Sequence, residues 1–215
     1  MRRITSCVVG CLALAAPAVA QHQEPLPTFA ADLRGIFARH KVEPDIAKGL
    51  EVEKANLPVR SFGVVGGAHV YPLRGRRVSL GLGGNIVFAR GSRTLETEAA
   101  GAATATKGPT VRRHFTAFSP EISLNFGHRN GWSYISGGLF GRSKLYLDLA
   151  DKPASAPPYR QTLNYGGGAR WFTNEHLAFS VDFRWYSVAE QPGATGVVFQ
   201  PRTTLLVLSG GLSIK

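Results

Sequence analysis

The side chains with the most chemical potential are six charges set into otherwise apolar or small-residue segments. Asp32 and Arg34 are separated by one residue, as are Asp182 and Arg184, while Glu121 and Arg170 lie in similar surroundings. Residues two apart in an extended strand share a face, so these segments present a charged or polar face backed by an apolar one. Three carboxylates and three guanidiniums brought together inside one sheet form a mutually neutralising ion-pair and hydrogen-bond network. Partnering is obligatory there, because a buried charge left alone is strongly destabilising.

Other chemistries find less support. The six histidines show neither H-x-x-x-H nor H-E-x-x-H spacing, so no metal ligand is assigned. Gly81-Leu82-Gly83-Gly84 and Gly166-Gly167-Gly168 lie within strands with no helix following, which is not the setting of a phosphate cradle. A lipid hydrolase working at a membrane interface would need His114 or His176, and neither sits in a His-x-Ser arrangement on an outward face. No catalytic, cofactor-binding or metal residue is assigned, and no enzymatic activity is expected.

The elements that carry the six charges alternate with period two. Val78, Leu80, Leu82, Ile86 and Phe88 oppose Ser79, Gly81, Gly83 and Asn85; Leu177, Phe179, Val181, Phe183 and Trp185 oppose Ala178, Ser180, Asp182, Arg184 and Tyr186. Strands are expected at 28–39, 59–73, 77–90, 113–127, 132–148, 160–172, 176–187 and 202–214. Short turns at 74–76, 128–131 and 173–175 alternate with long Gly-, Pro- and Ala-rich loops at 41–58, 91–112, 149–159 and 188–201. Eight strands, an even number, close without an exposed edge. Face parity holds if Val70 pairs with Leu80, Phe172 with His176, and Asn130-Gly131 form a two-residue turn. Strand 132–148 has blurred alternation, and Pro120 removes a ladder donor from 113–127.

The first twenty residues read as an export signal. Met1-Arg2-Arg3 is basic, Ile4 to Leu14 is mostly apolar, and Ala18-Val19-Ala20 is a small-x-small cleavage site. Val8-Val9-Gly10-Cys11 resembles a lipoprotein cleavage box, but apolar residues continue past Cys11, which favours cleavage after Ala20. That cleavage removes both cysteines, Cys7 and Cys11, and with them disulfide and thiolate chemistry. It also lowers the formal net charge from +11 to +9 by removing Arg2 and Arg3. The 215 residues thus divide into a signal peptide at 1–20, a short N-terminal lead at 21–27 and a barrel domain at 28–215.

Alternation alone does not say which face is inside. Strands of 12 or so residues exceed the ~9–11 that span a bilayer, and short turns gather on one rim with long loops on the other. Aromatic residues collect near the turns (Tyr71, Phe126, Trp132, Trp171, Phe172) and again higher up (Phe62, Phe88, Phe115, Trp185), as two girdles would. The fold class is therefore all-β: an eight-stranded antiparallel up-and-down transmembrane β-barrel preceded by a cleaved signal peptide. The alternative is a soluble lipocalin-like barrel binding an apolar ligand.

The hairpin Tyr165-Gly166-Gly167-Gly168-Ala169-Arg170-Trp171-Phe172, followed by a turn and Leu177 to Tyr186, resembles the penultimate hairpin of the small OmpA-like outer-membrane β-barrels. The resemblance extends over 28–215 and implies an outer-membrane location, with a structural, adhesive or surface-interaction role. One departure is the C-terminal Leu212-Ser213-Ile214-Lys215, where such barrels end in an aromatic residue read by the assembly machinery. Basic clusters fall at Arg74, Arg76, Arg77 and Arg129 on the turn rim, and at Arg112, Arg113 and His114 on the loop rim. The expected partners are outer-membrane lipids, lipopolysaccharide phosphates among them. With an export signal and no recognition helix or stacking motif, nucleic acid is not an expected partner, and the barrel is expected to act as a monomer.

Overall fold

A computed structural model of the chain describes residues 24–41, 47, 53, 56–97, 106–151, 156–192 and 199–215. The expected signal peptide, including Cys11, lies outside the described residues. Eight strands follow in order: β1 (Phe29–Arg39), β2 (Arg60–Arg74), β3 (Val78–Thr97), β4 (Thr106–His128), β5 (Gly131–Leu149), β6 (Arg160–Phe172), β7 (Leu177–Val188) and β8 (Thr203–Ile214). Each pairs antiparallel with the next, and β8 returns to β1 to close the barrel.

Face parity is as the sequence implies, but the registers differ by about one step of two residues. Val70 pairs with Leu82 rather than Leu80, because a bulge between Val70 and Leu73 takes up the difference. Phe172 pairs with Ala178 rather than His176, since Asn174 Oδ1 accepts from the amides of His176 and Leu177 and holds them in the turn. The β4–β5 turn centres on Arg129 and Asn130, one residue earlier than expected. Gly127 carries the positive φ, 138°, at a point where a Cβ would meet the Gly131 carbonyl. Slips of two residues preserve face parity at these hairpins.

Two larger differences involve β3, β4 and β5. The expected loop 91–112 is in large part a hairpin extension, with Ser92 paired to Arg112 and Thr94 to Thr110 beyond the barrel wall. Strand β5 reverses its face part-way along. Trp132, Tyr134 and Ser136 point inward, and after a break at Gly138–Gly141 so do Gly141, Ser143, Leu145 and Leu147. The break turns Leu139 and Phe140 outward and lies against the Phe118–Ile122 gap in the β4–β5 ladder, centred on Pro120, which has no amide hydrogen to donate. The blurred alternation of this segment is thus a change of phase.

The interior is layered. Near the turns, Leu26, Ala30, Tyr71, Trp132 and Tyr134 form one apolar cluster. Towards the loops, Ile36, Val65, Val87, Phe115, Leu145, Tyr186, Leu205 and Val207 belong to a second. The charged residues lie between them.

Candidate functional site

The six charges singled out in the sequence converge in this middle layer, and all are buried. Inward positions recur every second residue, so Asp32 and Arg34 of β1 face the same lumen as Asp182 and Arg184 of β7, on the far side of β8. Arg170 donates to Asp32 twice, from Nε at 2.9 Å and from a terminal nitrogen at 2.5 Å, the bidentate arrangement that suits a planar guanidinium. Its charge also lies 4.6 Å from the Tyr134 ring centre. Arg184 donates to both oxygens of Asp182 at 3.2 and 3.1 Å, to Asn164 Oδ1 at 2.7 Å, to Ser136 Oγ at 2.8 Å, and to Glu121. Arg34 donates to the Tyr134 hydroxyl and to Asn85, each at 3.1 Å, and Tyr134 passes a hydrogen bond to Asp182 at 2.9 Å.

Sequence reasoning did not single out the other polar members of this network. Glu121 accepts from His69 Nε2 at 2.7 Å, from Asn85 at 2.8 Å and from Ser136 at 3.3 Å, and Ser213 donates to Asp32. Their signal was available: each is a polar residue on the inward parity of its strand, at the level of a charge. Three carboxylates meet three guanidiniums, and the apolar layers on either side keep water from the group.

The outward faces are the inverse. Leu33, Phe62, Leu73, Ile122, Ile135 and Phe179 are each more than half exposed, as part of a continuous coat. On β3 the outward apolar series runs from Val78 to Phe88, which at ~3.3 Å per residue and a tilt of 35–45° is a band of about 25 Å. A lipocalin-like barrel buries its large apolar side chains around a ligand, and this one buries ions instead, so the soluble alternative fails. The girdles also need correction. Tyr71, Trp132 and Phe115 point inward and belong to the apolar layers, whereas Phe37, Phe62, Phe88, Phe118, Tyr165 and Trp185 lie on outward positions towards the loop rim.

No protein-family model matches the chain, and no curated protein matches it. Among solved structures it is similar to Neisserial surface protein A, at 10% identity over 88% of this chain and 97% of that one, with a TM-score of 0.54. It is also similar to the attachment invasion locus protein of Yersinia pestis, at 12% identity over 86% and 96%, with a TM-score of 0.46. For the outer membrane protein OprG from Pseudomonas aeruginosa the values are 12%, 90% and 96%, and 0.44. This is the fold of the small outer-membrane β-barrels. Fold and coat together put this outer-membrane barrel in the bilayer that such proteins cross.

At the loop rim, the barrel carries a second set of charges. Arg39, Arg60 and Arg90 follow two residues outside Phe37, Phe62 and Phe88 on their strands, and Arg112, His114, Arg142 and Lys144 continue the series on β4 and β5. Towards the same rim, outward positions of β6 to β8 hold Gln161, Leu163, Ser187 and Thr204. The cations therefore cover one side of the barrel. Arg113, expected among them, instead points inward and is buried beside His40. His114 stacks on Tyr146 and lies 3.3 Å from Asp148, while the exposed His176 sits at a turn, 3.4 Å from the Lys215 carbonyl. The pairing that the sequence did not suggest is His40 Nε2 with Ser61 Oγ, at 2.9 Å, with both side chains buried.

Proposed function

We propose that this chain is a non-enzymatic, non-conducting outer-membrane barrel whose role is structural and surface-interactive. Its rigid wall presents the long loops outside, and its basic rim engages the phosphates of surrounding outer-membrane lipids. The observation that carries this reading is the sealed charged layer. A guanidinium with five donors in use, as Arg184 has, leaves no continuous water path, and the apolar clusters above and below exclude ions at two further levels. Against catalysis stands the placement of the histidines: His40 and Ser61 are paired but shut inside the barrel, where no lipid ester reaches them.

The N-terminal arrangement fits the same reading. Residues 1–20 act as the export signal, and the lead that follows ends with Leu26 buried in the turn-side cluster. In the same lead Glu24 pairs with Arg129, at 2.6 Å. A closed barrel offers no strand edge to a second copy, which supports a monomer.

Reconstitution into planar bilayers tests the function. The expected result is heat-modifiable migration on a gel, resistance to carbonate extraction, and no single-channel conductance at neutral pH. Steady ion conductance by the folded barrel would overturn the sealed-lumen reading. Solubility without detergent would overturn the membrane reading itself.

A further inference from the structure

On the loop-side half of the coat, β3, β4 and β5 enclose a cleft of about 450 Å³ lined by Ile86, Phe88, Phe118, Arg142 and Tyr159, with Thr116 beside them. Its construction follows from register. Ile86 pairs with Phe118, and Phe118 with Arg142, so an arginine stands directly beside the apolar floor. Thr116 pairs with Lys144, whose ammonium lies 4.4 Å from the centre of the Tyr159 ring. Tyr159 belongs to the segment leading into β6 and closes the cleft from the side.

Among the described residues no carboxylate stands within 4.0 Å of Arg142, Lys144 or Arg90. A lipid-facing arginine is tolerated near the interface when its head reaches polar groups, and is costly when it does not. Floor and rim thus ask for an amphiphile whose chain covers Ile86, Phe88 and Phe118 and whose head brings negative charge to Arg142 and Lys144. The loop rim faces the outer leaflet, where the abundant phosphorylated amphiphile is a glycolipid.

We infer that this cleft is a binding site for one phosphorylated glycolipid of the outer leaflet, with an acyl chain on the Phe88–Phe118 floor and a phosphate held by Arg142 and Lys144. The guanidinium donates to phosphate oxygens in the planar manner that it uses with carboxylates, and the ammonium adds a second, point-like contact. Tyr159 packs its ring along the sugar or chain while keeping Lys144 in place. This site rests on the membrane reading above and gives its lipid contacts one address.

Native mass spectrometry of the full-length barrel in detergent, titrated with bisphosphorylated lipid A, provides the test. Heat-modifiable migration is recorded on the same samples, so that failure of the barrel reading is seen separately from failure of the site. Wild-type protein is expected to retain one lipid A. Arg142→Ala with Lys144→Ala is expected to weaken retention about tenfold or more, each cation near a lipid phosphate contributing of the order of one contact. Lys215→Ala, which removes a cation beside the β6–β7 turn, should leave retention unchanged. Dephosphorylated lipid A should bind wild type as weakly as bisphosphorylated lipid A binds the double variant, a comparison that needs no folded variant. Equal retention by wild type and the Arg142/Lys144 variant would overturn the site, as would equal retention of phosphorylated and dephosphorylated lipid. Equal competition by phosphatidylglycerol would overturn the assignment to a glycolipid.

Discussion

The barrel holds two populations of arginine, one in the lumen and one on the outer face of the strands, and they live under opposite rules. Arg34, Arg170 and Arg184 point into the lumen, are nearly inaccessible, and spend their donors on carboxylates, amides and hydroxyls. Arg39, Arg60, Arg90 and Arg142 point outward, stay exposed, and have no carboxylate within 4.0 Å among the described residues. The inner set is balanced, three cations against three anions, so its chemistry is consumed in holding the wall together. Among the described residues the outer set is unbalanced, so its chemistry is turned towards something outside this network. Parity alone decides which population an arginine joins: Arg112 and Arg113 are neighbours in sequence, and one is at the rim while the other is buried.

The sharpest way to break this contrast is to treat both populations alike. Arg184→Ala strands Glu121 and Asp182 in the lumen without their shared cation. It should cost about 3–5 kcal/mol and lower the gel-shift melting temperature by about 10 °C for a chain of this size. Adding Glu121→Gln should restore at least half of the loss, since it returns the layer to two cations against two anions and leaves Asp182 with Arg34, 3.6 Å away. Arg142→Ala, the outer counterpart, should leave the melting temperature in lipid-free detergent within about 1 °C, as surface substitutions usually do. A comparable drop for both would erase the distinction.

A smaller effect probes the wall between the two populations. The β4–β5 ladder lapses around Pro120, and Gly138 fills the space left on β5, where a Cβ would come within 1.9 Å of the Pro120 carbonyl oxygen. Gly138→Ala should therefore cost about 1–3 kcal/mol in urea unfolding, as overpacking does. Gly66 is the control: a Cβ there meets nothing within 4 Å, so Gly66→Ala should leave the urea midpoint unchanged or raise it. Equal effects at the two glycines would show that the gap at Pro120 yields without cost.

What the sequence shows clearly here is parity, and parity is enough for the charged layer. All six charges reach the lumen because a period of two puts Asp32 with Arg34, and Asp182 with Arg184, on one face whatever the register. Register itself was not legible, because it depends on local hydrogen bonds such as those of Asn174 in the β6–β7 turn and on the bulge at Val70–Leu73. The phase change in β5 was visible only as blurred alternation, since nothing in Gly138-Leu139-Phe140-Gly141 says which residue is extruded. The inward aromatics misled for a related reason. Tyr71, Trp132 and Phe115 look like girdle residues by height, yet they fill a lumen too wide for small side chains. The rim site depends on a contact between Lys144 and Tyr159 across a loop, which alternation cannot reach.

His40 is the intermediate case, at the rim by position but buried like the lumen. Its Nε2 pairs with Ser61 Oγ, and burial together with the Arg113 guanidinium beside it pushes its pKa down to about 3 from the ordinary 6.5. Between about pH 3 and 6.5 the imidazole is therefore neutral in the folded barrel while the unfolded chain protonates it. Above pH 6.5 both states are neutral and the residue adds no pH dependence. As pH falls below 6.5 the unfolded state alone takes up a proton, so stability drops progressively towards pH 3. Between pH 7.5 and 5.5 the loss from this one residue should be about 1 kcal/mol. His40→Gln keeps a hydrogen-bonding group near Ser61 but does not titrate. Its urea midpoint should thus fall less than that of wild type over the same interval, the lumen carboxylates contributing equally to both. Parallel pH profiles would mean that His40 is protonated in the folded barrel, and so that water and counter-charge reach the rim layer as freely as they reach Arg39 beside it.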